Sequence, residues 1–375
     1  MSELKVDKVS PRTGTYVSLN TVGSKNIIIN GDMSIAQRGT TATGLGNGDS
    51  GYHTVDRFRF EEGGSPTAEF TMSQSTDVPS GQGFATSLKM DCTTADASLG
   101  ASDIIRIGTF FEGQNLQYLK KGTSNAESLT LSFWVKSNKT GTYTLRLEDV
   151  DNTRMICSSY TISASATWEK KTITFAGDTT GALDNDNGLS FVIRFNLLAG
   201  TNYDTGTLQT TWGSTTDANS AVGQVNLADS TSNDWYITGI QLEAGTTASD
   251  FEFLPHDVNL QRCYRYCYRI NGNATDEQLT STGGFIFSTT ISSINYTFHP
   301  PLRAVPTVSE SNSLEQVTNA AMSLSSLFDD NQVGDCNSVG VAFDADSGTP
   351  FTTNTFSNMR LQNTTAAFIE FSAEL

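Results

Sequence analysis

The chain has 375 residues, 37% of them hydrophobic, and 23 Lys+Arg against 40 Asp+Glu give a net charge of −17. That length can bury the cores of two β-domains, and so acidic a balance argues against gripping nucleic acid or anionic lipid, which needs basic surface. Only 17% of residues are charged; Ser, Thr, Asn and Gly fill much of the rest, a composition poor for helices and suited to short strands and turns.

Residues 1–24 read as a separate arm. LKVDKV and TYVSL are short alternating runs joined by SPRTG, with too little apolar surface to fold alone. We expect the arm to become ordered on a neighbouring copy or a docking protein. The opening MSELKVDKVS is charged and lacks an apolar signal stretch, and no apolar run approaches the length of a membrane span. Assembly in a cytoplasm without membrane insertion is the expectation.

Residues 25–254 read as one all-β sandwich of jelly-roll type. In LTLSFWVKS, Leu129, Leu131, Phe133 and Val135 alternate with Ser132, Trp134 and Lys136. GLSFVIRFNLL sets Leu189, Phe191, Ile193, Phe195 and Leu197 on one face, and TYTLRLE adds Tyr143, Leu145 and Leu147. This is the period-2 pattern of strands with one buried face, and polar Gly-rich clusters separate the runs. Residues 255–271 break the rhythm. After Pro255, Leu260, Cys263, Tyr264 and Cys267 fall at helical spacing, and CYRYCYR then alternates, so a short helix running into a strand is expected at a domain junction. Residues 272–375 read as a smaller C-terminal β-domain, with Pro300, Pro301 and Pro306 confining their stretch to edges and loops.

Motifs for chemistry are sparse. GNGDSG at Gly46–Gly51 has dinucleotide-loop spacing but lacks the strand before it and the helix after it. His53, His256 and His299 sit in no zinc spacing. Cys92, Cys157, Cys263, Cys267 and Cys336 form no disulfide framework, and Cys263 and Cys267 read as buried thiols. Asp184 and Asp186 in DNDNG resemble the start of a calcium loop without its later Glu, and turn-forming side chains explain them equally well. They are weak metal candidates, and no cofactor is expected. Aromatic side chains in polar settings are the better lead: Trp134 on the polar face of its strand, Trp212 in TTWGSTTD and Tyr203 in GTNYDTG. Such rings stack on sugar faces while nearby polar groups take hydroxyls. The alternative is that Trp134 packs under another layer and Trp212 pins its loop.

Three long motifs carry a family likeness: NIIINGDMSIAQRGT at Asn26–Thr40 with YHTVDRFRF at Tyr52–Phe60; SLTLSFWVKSNKTGTYTL with TWEKKTITFAGDTTG; and DWYITGIQLEAGTTASDFEFLPHDVNLQRCYRYCYR at Asp234–Arg269. With the leader LKVDKVSPRTGTYVSL, FHPPLRAVPTVS and the ending AAFIEFSAEL, they resemble bacteriophage tail-fibre and virion structural proteins. The central domain is also similar to carbohydrate-binding jelly rolls, although Ser34 and Thr238 stand where those modules hold structural calcium. The resemblance implies a non-enzymatic virion component, a homotrimer attached through residues 1–24, with residues 272–375 at the tip and a host polysaccharide as receptor. A capsid decoration fibre, a tail adaptor and, further off, a polysaccharide-degrading enzyme are the alternatives. If the first and third motifs are the first and last strands, they close the sandwich, with Gly31 and Gly245 as turns and Glu243 or Asp56 paired to Arg38 or Arg57.

Overall fold

The computed structural model describes residues 25–272, 284–286, 291–311, 314–316, 320–321, 340–346, 356–357, 359–361 and 368–375. The expected arm at 1–24 and Cys336 lie outside them. Between residues 25 and 254 the strands are β1 (Thr41–Leu45), β2 (Arg59–Gly63), β3 (Glu69–Ser75), β4 (Ser87–Thr94), β5 (Ile104–Glu112), β6 (Leu129–Ser137), β7 (Gly141–Asp149), β8 (Arg154–Ile162), β9 (Glu169–Phe175), β10 (Leu189–Ala199), β11 (Gly213–Ser214) and β12 (Asp234–Ala244). They form two six-stranded sheets, β1-β3-β4-β12-β6-β9 and β11-β8-β7-β10-β5-β2. The pairings are antiparallel, as between β12 and β6 and between β10 and β5. The fold is a jelly-roll β-sandwich with a smaller β-region after it.

The inward residues are those the alternation marks. Leu131, Phe133 and Val135 of β6 meet Phe191, Ile193 and Phe195 of β10 and Tyr143, Leu145 and Leu147 of β7 in one core. Phe133 makes edge contacts with Phe195 and Tyr160 at 5.3 and 5.1 Å, geometry that adds to plain apolar burial. Leu189 departs from the expected face: the β10–β5 register shifts between Leu189 and Phe191, and Leu189 is left half-buried.

The first and third motifs interlock. Ile27 N–H donates to Leu242 O at 2.9 Å, and Ile240 N–H donates to Gly31 O at 2.9 Å. The Asn26 side chain bridges the same strand, donating to Ile240 O at 3.0 Å and accepting from Leu242 N–H at 3.1 Å. Gly31 lies in the turn closed by Met33 N–H donating to Asn30 O at 3.0 Å, and proximity requires it as well, since a Cβ there would lie 2.1 Å from Ile240 O. Gly245, at φ 113°, does turn the chain after β12.

A single helical turn, α1 (Thr201–Asp204), follows β10, and α2 (His256–Tyr264) leads into β13 (Cys267–Asn271). The buried residues of α2 are Asn259 and Cys263, with Leu260 only half-buried. Asn259 faces inward because it is satisfied there: its amide donates to Asp32 and Ser34 at 3.1 Å each, and its carbonyl accepts from Asn30 N–H at 3.2 Å. Beyond lie β14 (Gly284–Ile286), β15 (Ile291–Thr297), β16 (Thr307–Glu310), β17 (Leu314–Gln316), β18 (Ala320–Ala321), β19 (Gly340–Asp346), β20 (Phe356–Ser357), β21 (Met359–Leu361) and β22 (Phe368–Ser372), in sheets β13-β22-β16, β19-β15-β14-β20 and β18-β17-β21.

Buried ion pairs fasten β22 and the residues after it to the sandwich. Arg38 reaches Glu370 at 2.9 Å and Glu374 at 3.3 Å, and Arg57 pairs with Glu374. The acids expected for these arginines are engaged elsewhere. Asp56 accepts from Gln37, and Glu243 accepts from Ser249 and Gln241. The true partners lie more than 300 positions away in sequence, which no local pattern reveals.

Candidate saccharide cleft

Trp134 projects from the outward face of β6, opposite Thr238 of β12 and Lys170 of β9. The β12–β6 register slips between Thr238 and Gln241, and Gly239 occupies the slip at φ 61°. A Cβ there would come 2.5 Å from Phe84 Cζ, so the bulge is the floor on which the Phe84 ring rests. Phe84 comes from the loop before β4; Phe251 and Phe253 come from the loop after β12. The three rings form one wall, with centroids 5.1 Å apart for Phe84–Phe251, 5.1 Å for Phe84–Phe253 and 4.9 Å for Phe251–Phe253. Phe253 is 49% exposed, although burial would favour so large an apolar ring inside.

This wall and Trp134 line a cleft of about 250 Å³, with Gln82, Ser132, Lys170 and Asp250 among its polar groups. Lys170 and Asp250 are both exposed, one charge of each sign on the rim. Aromatic faces with a few convergent polar groups are what a sugar site needs: rings meet the C–H face and polar atoms take the hydroxyls.

The other tryptophans are committed inside the protein. Trp235 is core, and Trp168 N–H donates to Asp77 at 2.9 Å. Trp212 N–H donates to Ala176 O at 2.8 Å, its ring lies 6.1 Å from Phe191, and Lys121 sits 5.5 Å above it. Trp212 therefore pins its loop. The Trp134 indole N–H makes no hydrogen bond among the described residues. Tyr203, half-buried in α1, lies over the second sheet, its hydroxyl 3.9 Å from the position of a Cβ on Gly63. The three aromatic candidates are thus not one site: Trp134 has a cleft around it, and Tyr203 and Trp212 belong elsewhere. Phe84, Phe251 and Phe253 escaped the sequence reading. The alternation of DFEFLP, with two phenylalanines flanking Glu252, was the available signal.

The Asp186 carboxylate closes its own loop, and Asp184 is tied through its backbone to a second acid, Asp151. Asp184 N–H donates to Asp151 at 2.9 Å, and Asp186 accepts from Gly188 N–H at 2.8 Å. Among the described residues no three His, Cys, Asp or Glu side chains come together as metal ligands. Cys92, Cys157, Cys263 and Cys267 are free and buried. Burial pushes the Cys92 thiol up to about 11 and that of Cys157 up to about 12, and raises those of Cys263 and Cys267 as well, so they stay protonated and unreactive. On the second sheet's outward face Glu61 and Glu148 both pair with Arg194, and Glu148 also takes Arg146 at 2.9 Å. Arg106 beside them is pulled down to about 10, first by burial and then by Arg146. No described helix is long and apolar enough to cross a membrane.

No protein-family model and no curated protein matches this chain. Among solved structures, the enzymatically active domain of bacteriophage CBA120 tailspike protein 4 is 12% identical over 59% of this chain, at a TM-score of 0.31. This chain spans 21% of that structure's length. A putative sugar binding protein from Bacteroides thetaiotaomicron is 9% identical, over 58% of this chain and 99% of the other, at 0.32. TmCBM61, solved with β-1,4-galactotriose, is 9% identical, over 59% and 99%, at 0.30. The jelly-roll architecture is carried by the strand order, not by these likenesses.

Proposed function

We propose that this chain is a non-catalytic bacteriophage virion protein of the tail-fibre type that holds a host-surface saccharide in the Trp134 cleft. The observation that carries the saccharide half is the cleft itself. An indole with an unused N–H faces a wall of three phenylalanines, one of them half exposed, with charged and hydrogen-bonding groups on the rim. A volume of about 250 Å³ suits one sugar unit of a longer polysaccharide. The virion half is supported by the sequence resemblance of the three motifs. In this reading residues 1–24 dock to the particle, residues 25–254 form the body, residues 272–375 form the tip, and three copies assemble.

A glycan array probed with the full chain tests the saccharide half; hits on host surface polysaccharide are expected, and an empty array contradicts it. Deleting residues 1–24 should abolish incorporation into particles and leave folding intact; normal incorporation contradicts the docking role. Labelling the protein on intact particles separates a tail fibre from a capsid decoration or a tail adaptor. Release of reducing ends from host capsule would overturn the non-catalytic assignment.

A further inference from the structure

Three guanidinium groups meet on the outward face of the second sheet. Arg146 of β7 lies opposite Arg194 of β10, and Arg106 of β5 lies opposite Asn196 of β10, so the four side chains share one face. The segment after β10 covers it: Gln224 accepts from Thr144 N–H at 2.7 Å, and Asp217 stands 3.6 Å from Arg146. The Arg106 and Arg146 side chains are 14% and 7% exposed.

The acids on this face do not answer all three cations. Glu61 takes Arg194 through bonds of 2.7 and 3.2 Å and stands 3.9 Å from Arg106, too far for a hydrogen bond. Glu148 is shared between Arg194 and Arg146. Asp217 is 62% exposed, so solvent screens its pull. Among the described residues, Arg106 Nε, Arg146 Nε and Nη1, and Asn196 Oδ1 are buried without a hydrogen-bond partner. Each such group carries its full desolvation penalty, and a cluster of them points to a bound ion or water. Arg106 and Arg146 also repel each other: burial first, and then the Arg146 charge, pull Arg106 down to about 10. Water would meet the donors and leave that repulsion standing, whereas an anion relieves both.

We propose that this face holds an inorganic phosphate ion, its oxygens accepting from Arg106 and Arg146 and its hydroxyl donating to Asn196 Oδ1. Guanidinium donors match a phosphate in charge and geometry. The unpaired Asn196 oxygen calls for an anion that also carries a proton, which phosphate keeps at neutral pH and sulfate does not. Cover by the segment after β10 favours the free ion over a phosphate ester on a larger molecule. Trp134 lies on the other sheet, so this site stands or falls apart from the saccharide cleft.

The test is calorimetric titration of the full chain, dialysed free of phosphate, with inorganic phosphate, sulfate and glycerol phosphate at neutral pH and one ionic strength. Phosphate should bind at least about tenfold more tightly than either of the others, the worth of one charge-assisted hydrogen bond. At about ten times its Kd it should raise the melting temperature by about 4 °C. Arg106→Gln should weaken phosphate binding at least about tenfold, and Glu61 keeps Arg194 in that protein. Asn196→Leu retains all three arginines and should bring phosphate and sulfate to equal affinity. The wild-type comparison decides even if a variant folds poorly. Absence of phosphate binding, wild-type affinity for sulfate or glycerol phosphate equal to that for phosphate, or phosphate affinity that survives Arg106→Gln would each overturn the proposal.

Discussion

Glu374→Gln tests how β22 and the residues after it are held on the sandwich. The substitution removes the charge that answers Arg57, whose side chain is 2% exposed, and one of two charges answering Arg38. Arg57 would keep only neutral partners: the new amide oxygen, the Phe110 carbonyl and the Tyr266 ring. Breaking a buried pair from one side costs about 3–5 kcal/mol, because the remaining charge stays desolvated. At roughly 2–4 °C per kcal/mol for a domain of this size, the melting temperature should fall by about 10 °C. Arg57→Met leaves Glu374 paired to Arg38 and should cost less. The double variant should be less destabilised than the sum of the singles by at least about 1.5 kcal/mol, as expected for groups in contact. Denaturant unfolding of the four proteins, followed by near-UV circular dichroism, supplies the cycle. A Glu374→Gln loss under about 1 kcal/mol, or simple additivity, would refute the buried clamp.

Asp56 is held up at about 6, chiefly by burial, against the lowering pull of Arg38 and Gln37. A carboxyl raised in the folded state binds more protons folded than unfolded. Its contribution therefore favours folding at low pH and is lost as pH rises from about 4 through 6. A carbon-detected NMR titration should place the Asp56 midpoint near 6, and a midpoint below 4 would contradict the desolvated site. Trp212→Ala should lower stability by about 2 kcal/mol through loss of the loop anchor and leave saccharide affinity unaltered, read by melting and calorimetry together. Gly31→Ala should cost about 3 kcal/mol by driving a methyl into Ile240 O; a near-neutral result would contradict the close pairing of the opening segment with β12.

The fold was legible where burial and alternation agree. Leu129, Leu131, Phe133 and Val135 point inward as a period of two requires, and their strand lies in a sheet interior. What alternation concealed is that part of the first sheet's outward face is also covered. Thr130 and Thr238 are buried there because each hydroxyl donates to a loop carbonyl at 2.8 Å, Gly245 O and Thr86 O. Lys136, polar in pattern, lies 4.1 Å over the Tyr236 ring and pairs with Asp77. The cleft was half legible for the same reason. Trp134 stood out on a polar face, but its wall comes from two loops far apart in sequence, joined only by the bulge at Gly239. The resemblance-bearing motifs serve both ends: Asn26, Asn30, Gly31 and Asn259 carry the interlock, and Trp134, Lys170, Phe251 and Phe253 line the cleft.

The central claim, a saccharide held at Trp134, is tested most directly by titrating a bound polysaccharide fragment into the wild-type chain and Trp134→Ala. Removing a central aromatic anchor should cost about 2 kcal/mol, roughly thirtyfold in Kd. Because Trp134 is half-buried outside the core, the melting temperature should move little. Wild-type affinity in the Trp134→Ala protein would contradict the account.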